Sequence, residues 1–136
     1  MLLISQPYSK EEEKPAMAPI PQRRRIEVED IANATIVTLS DKKVLEPDII
    51  QIIGDQLFAV AEDDSRLQLV IDFSRVEYMT SGLTGKLITL SKRLQARKGK
   101  LILCNMISPV YEVFEITRLD KFFCIKKDAD AALAAF

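Results

Sequence analysis

Histidine and tryptophan are absent from the 136-residue chain, and cysteine occurs only as Cys104 and Cys124. Without histidine the commonest general base near neutral pH is gone, and with it every Ser-His or Cys-His nucleophile arrangement. Two cysteines give neither a disulfide framework nor a His/Cys metal cluster, so no metal and no cofactor is expected. Each lies in an apolar run of strand character, which reads as a buried structural thiol. Glycine is also scarce, at four residues. Gly82 and Gly85 do not make the spacing of a P-loop or a dinucleotide fingerprint. Nor is there an excess of charge: 19 basic and 20 acidic side chains leave a net charge of −1. That gives no field to hold a nucleic-acid backbone or an anionic membrane. No stretch approaches the roughly 18 consecutive apolar residues that cross a bilayer. Met1-Leu2-Leu3-Ile4 is too short for a signal-peptide core and lacks a preceding positive charge, so a cytoplasmic protein is expected.

What is present is a hydrophobic content of 48%, enough for one packed core at this length. Residues 1–24 mix charge with proline and hold no period of 2 or 3.6, which predicts a flexible N-terminal tail ahead of a domain spanning 25–136. From Ile26 the chain alternates, Ile26-Glu27-Val28-Glu29 and then Thr35-Ile36-Val37-Thr38-Leu39, as a β-hairpin does. Pro47 and Asp48 open a helix whose Ile50, Ile53, Leu57, Val60 and Ala61 share one face, with Gly54 weakening it. Leu67 to Phe73 is a nearly continuous apolar run, suited to a central strand covered on both sides. A second helix carries Leu83, Leu87, Leu90 and Leu94 and stops at Gly99. A strand follows over Lys100 to Cys104, then a helix opened by Ser108-Pro109 with Val110, Val113, Phe114 and Thr117 on one face. Phe122 to Ile125 reads as a short strand, and Asp128 as the cap of a final helix. The alternation predicts an α/β sandwich: a hairpin start, a mixed but largely parallel sheet of about five strands, and about four helices.

The turn between the central strand and the second helix reads Asp72-Phe73-Ser74-Arg75-Val76-Glu77-Tyr78-Met79-Thr80-Ser81-Gly82-Leu83-Thr84-Gly85. It resembles the signature of STAS domains and anti-sigma-factor antagonists. In these an apolar strand ending in Asp-Leu-Ser leads through a Val-Glu-Phe-like turn to Asp-Ser-Ser-Gly-Leu-Gly and a helix. The Leu101-Ile102-Leu103 strand, the Val110 to Leu119 helix and the Asp128 to Leu133 segment extend the likeness over residues 26–136. The resemblance implies a STAS-like fold and a regulatory, non-enzymatic role. The implied partner is an anti-sigma factor or a histidine-kinase-like serine/threonine kinase, which phosphorylates the serine after the family's aspartate. Ungapped alignment places Ser81 at that position and Thr80 at the aspartate; a one-residue slide makes Thr80 the acceptor instead. Tyr78, Met79, Thr80, Ser81, Gly82 and Thr84 become candidate partner contacts, although Met79 also suits the core. Arg118 stands where the family often has glycine, and Asp41 or Lys42 near another such place.

A hydroxyl at a helix N-terminus lies among unpaired N–H groups and the positive end of the dipole, where phosphate oxygens fit. Phosphate adds roughly −1.5 to −2 charges there, enough to repel an acidic partner. One of Thr80 and Ser81 is also expected to cap the helix. Two other readings stay open. A small-ligand, nucleotide or lipid-binding scaffold module would use the turns after parallel strands. An enzyme would have to use Asp72, Glu77 or Lys86 around Ser81, but Asp72 suits bracing the strand end and Lys86 a solvated face. A monomer or a weak homodimer through an early edge strand is expected.

Overall fold

In the computed structural model of the protein, residues 24–136 are described. The expected tail therefore lies outside the described residues, apart from Arg24. Strands β1 (Ile26–Ile31) and β2 (Ala34–Leu39) form the antiparallel hairpin. β3 (Lys43–Val44) leads to helix α1 (Pro47–Ala61), followed by β4 (Gln68–Asp72), β5 (Tyr78–Met79) and α2 (Gly82–Ala96). The chain closes with β6 (Lys100–Cys104), α3 (Ser108–Ile116), β7 (Cys124–Lys126) and α4 (Ala129–Ala134). Five strands form one mixed sheet in the order β1-β2-β4-β6-β7, parallel from β2 onward.

Period-2 alternation splits β4 between two cores. Leu69 and Ile71 join the larger one with the buried faces of α1, α2 and α3, while Val70 faces α4 in a smaller cluster with Ile36, Ile102, Cys104 and Ala132. The α2 stripe is fully buried at Leu83, Leu87, Leu90 and Leu94. Phe114 of α3 is fully buried too, edge-on to Phe73 at 6.1 Å and to Phe123 at 5.8 Å.

Several local expectations are corrected. The last strand begins at Cys124 instead of Phe122, because the Leu119 carbonyl accepts N–H groups from both Phe122 (3.0 Å) and Phe123 (2.9 Å) and curls the chain there. Ser108 lies inside α3 and Ile107 takes the cap position. Thr117 is exposed past the end of α3, its hydroxyl donating to the Val113 carbonyl at 2.8 Å. Gly54 is buried, and a Cβ there would meet the Lys86 stem at 2.9 Å. Its missing side chain lets Lys86 cross α1 and donate to Gln51 Oε1 at 2.8 Å, so Lys86 is half-buried instead of free in solvent.

None of the four glycines has a positive φ; among the described residues the left-handed positions belong to Ala32, Lys98, Asn105 and Arg118. Lys98 (φ 64°) and Arg118 (φ 64°) each follow a helix end closed by two hydrogen bonds. Lys98 N–H donates to Gln95 O and Gly99 N–H to Leu94 O; Arg118 N–H donates to Glu115 O and Leu119 N–H to Phe114 O. Both are Schellman motifs, with a charged residue where glycine is usual.

Candidate functional site

The hydroxyl turn is hung on a second, two-stranded sheet that periodicity could not reveal. β3 pairs in parallel with β5, Lys43 opposite Tyr78 and Val44 opposite Met79. The Lys42 carbonyl accepts both Glu77 N–H (2.8 Å) and Tyr78 N–H (3.0 Å), and the Val44 carbonyl accepts Thr80 N–H (3.2 Å). The stretch from Asp72 to the ribbon is braced further back. Asp72 Oδ1 accepts from Ser74 N–H (2.8 Å) and from the Asn105 amide (3.1 Å), as expected of a strand-end brace. Arg75 reaches Glu27 of β1 at 2.7 and 3.3 Å, and that carboxylate holds its guanidinium pKa above the ordinary value.

Ser81 is the N-cap residue of α2, yet its side chain makes no capping hydrogen bond. Thr80 does that work, its Oγ1 accepting Gly82 N–H at 3.3 Å. The Ser81 carbonyl accepts the Thr84 N–H (3.0 Å) and hydroxyl (2.5 Å), fixing the first turn from the backbone side. Both Thr80 and Ser81 are exposed. No acidic side chain occupies the first turn of α2, so the positive end of its dipole is uncompensated. A Cβ on Gly82 would meet Ile50 Cδ1 at 2.9 Å, so glycine here lets the start of α2 press against α1.

The structure separates the six candidate contacts. Tyr78, Thr80, Ser81 and Gly82 are exposed and adjacent, with the Lys43 ammonium 5.8 Å from the Tyr78 ring centroid. Met79 (8% exposed) and Thr84 (5%) turn inward, because alternation along β5 and the helix phase of α2 point them at the core. They shape the surface from beneath instead of forming it. Sequence reasoning missed Lys43 of β3, which lies beside Tyr78, and the exposed Leu45 that follows that strand. A two-residue strand carries no periodic signal by which to find them.

Two grooves among the described residues, of about 380 and 520 Å³, are lined by Arg24, Ile26, Gln56 and Val60 and by Asp30, Asn33, Ser65 and Gln68 among others. Neither includes a residue of the hydroxyl turn. Among the described residues no group of acidic or cysteine side chains is placed to hold a metal ion, and no helix is long and apolar enough to cross a membrane.

A mixed five-stranded sheet opened by a hairpin, with an exposed serine at the start of the helix after its central strand, defines a STAS-type regulatory fold. The STAS domain family model matches residues 25–132, and the chain belongs to that family. BtrV of Bordetella bronchiseptica, assigned as an anti-sigma factor antagonist, is 32% identical over 78 residues, which cover 57% of this chain and 67% of BtrV. Among solved structures, an anti-sigma factor antagonist from Mycobacterium paratuberculosis superimposes with a TM-score of 0.73 at 24% identity, covering 81% of this chain and 91% of that one. The Bacillus cell fate determinant SpoIIAA in its phosphorylated form gives a TM-score of 0.61 at 17% identity, covering 82% and 99%. The two structural likenesses bear on the fold alone; the family match and BtrV make this chain an antagonist-like STAS domain.

Proposed function

We propose that the chain is a cytoplasmic anti-sigma-factor antagonist that binds an anti-sigma factor through the Tyr78 to Gly82 surface. That anti-sigma factor is a histidine-kinase-like serine/threonine kinase, and phosphate placed on Ser81 ends the binding. The observation that carries this reading is the division of labour at the start of α2. Thr80 supplies the side-chain hydrogen bond to the helix, leaving the exposed Ser81 hydroxyl clear of capping. A phosphate there would meet the uncompensated dipole end and would add charge to the docking surface with no need for backbone movement. BtrV, assigned as an antagonist, and SpoIIAA, which has a phosphorylated form, support the same reading.

The test is co-expression with candidate kinases of this class followed by intact mass, on the wild type, Ser81→Ala and Thr80→Ala. One phosphate is expected on the wild type and on Thr80→Ala, and none on Ser81→Ala. Incorporation that survives in Ser81→Ala and vanishes in Thr80→Ala moves the acceptor to Thr80. A wild type that binds its anti-sigma factor but never gains phosphate removes the switch.

A further inference from the structure

We infer that the Arg25–Asp41 ion pair is a positioning device for the hydroxyl turn, setting the geometry in which Ser81 is presented although neither residue touches it. Arg25 precedes β1, and Asp41 lies in the loop between β2 and β3. Arg25 Nη1 meets Asp41 Oδ2 at 2.5 Å, with both side chains only 18% exposed. The main chain of Arg25 is held as well. Its N–H donates to Gln56 Oε1 of α1 at 2.8 Å, and its carbonyl accepts Ser40 N–H at 3.0 Å. Among the described residues Arg25 Nε is buried with no hydrogen-bond partner, and the Nη1 side of the guanidinium relies on the Asp41 carboxylate.

The next residue after Asp41 transmits the constraint. Lys42 offers the carbonyl that takes both Glu77 and Tyr78 N–H, and Val44 offers the one that takes Thr80 N–H. Residues 77–80 are thus registered on a loop segment whose side-chain anchor is Asp41, and Ser81 follows directly. Loss of the carboxylate charge would leave the guanidinium poorly compensated and loosen residues 40–42. The slack would pass to Ser81 through the three backbone hydrogen bonds. Neither residue belongs to the Tyr78 to Gly82 surface, so the kinase should still bind. What suffers is orientation of the reacting hydroxyl, where a displacement of about 1 Å can cost as much as ~100-fold in rate.

This inference rests on the phosphoacceptor reading for its kinetic arm only; amide exchange tests the coupling without any kinase. In Asp41→Asn and Arg25→Met the Glu77, Tyr78 and Thr80 amides are expected to exchange at least about tenfold faster, with the amides of β4 and β6 unchanged. With a kinase that phosphorylates the wild type, kcat falls roughly tenfold in Asp41→Asn and in Arg25→Met while KM moves little, and Arg25→Lys, which keeps the positive charge, retains most of the wild-type rate. A purely structural role would lower Tm and leave kcat per folded molecule unchanged. Unaltered exchange at Glu77, Tyr78 and Thr80 in both variants overturns the inference. Absence of phosphorylation in the wild type instead counts against the phosphoacceptor reading, and the exchange result still decides the coupling.

Discussion

Replacing Lys98 or Arg118 by glycine should stabilise the protein, although each substitution removes a side chain and adds no contact. Both residues sit at φ 64° in Schellman motifs. Left-handed backbone costs a residue with a Cβ roughly 1–2 kcal/mol. Glycine escapes that cost, but its extra freedom in the unfolded chain gives back roughly 0.5–1 kcal/mol. Both side chains are exposed, so truncation loses little packing. The net gain is about 0.5–1 kcal/mol per site, or roughly 2–4 °C in Tm for a domain of this size. The two sites end different helices and share no partner, so the double variant should show the sum. Gly99→Ala is the matched opposite. It lies one residue past Lys98, and its Cβ would fall against the backbone oxygen of Leu67, which cannot move aside. That substitution should cost about 1–3 kcal/mol. Urea melts of the four variants with the slope held to the wild-type value would measure these differences. If Lys98→Gly and Arg118→Gly both leave the midpoint unchanged or lower it, the assignment of strained left-handed caps fails.

Phe114→Ala should cost about 3–5 kcal/mol, because the ring is fully buried edge-on between Phe73 and Phe123; a loss below about 1 kcal/mol in a chemical melt would mean that core is not packed as described. Burial pushes the Cys104 thiol up to about 12, leaving roughly 1 in 10,000 as thiolate at pH 8, so native iodoacetamide treatment should spare Cys104 and denatured treatment should not. The Asp30 carboxyl is held below its ordinary 3.8 by the Thr35 hydroxyl and then by Arg66, so its contribution is present above that pH and lost as pH falls through the lower folded value. Asp30→Asn should therefore lower Tm at neutral pH, and the deficit should close on acidification below 3.8; a deficit that persists in acid contradicts the linkage. Ser81→Glu should leave Tm within about 1 °C or raise it slightly, since a carboxylate at the start of α2 meets only the positive dipole end, while binding to an anti-sigma factor in pull-down should be lost.

The elements legible in the sequence are those whose burial repeats. Leu83, Leu87, Leu90 and Leu94 announce α2, and the unbroken Leu69-Val70-Ile71 announces a strand covered on both faces; all seven are fully buried. The Asp72 to Gly85 signature located the turn for the same reason, since strand, turn and helix follow one another at fixed lengths. What stayed hidden depends on single backbone bonds or on pairs distant in sequence. The β3–β5 ribbon has two residues per strand and exists because carbonyls at Lys42 and Val44 meet N–H groups more than thirty positions later. Phe122 and Phe123 look like strand residues by composition, but the Leu119 carbonyl bends them into a turn. Glycine did mark where α2 stops, but it is not the left-handed residue there. The left-handed position is Lys98, and Gly99 is needed for close approach to Leu67.

The same distinction between local pattern and distant contact governs the hydroxyl turn. A serine that both capped α2 and accepted phosphate would tie the switch to folding, because modification would take away a hydrogen bond the helix needs. Here the capping bond belongs to Thr80, the first turn is fixed from the Ser81 carbonyl, and the ribbon is set by backbone bonds to Lys42 and Val44. None of these uses the Ser81 side-chain oxygen. Charge can therefore be added at that atom while every bond that shapes the turn survives, which is the condition for a modification to alter recognition and leave the fold alone.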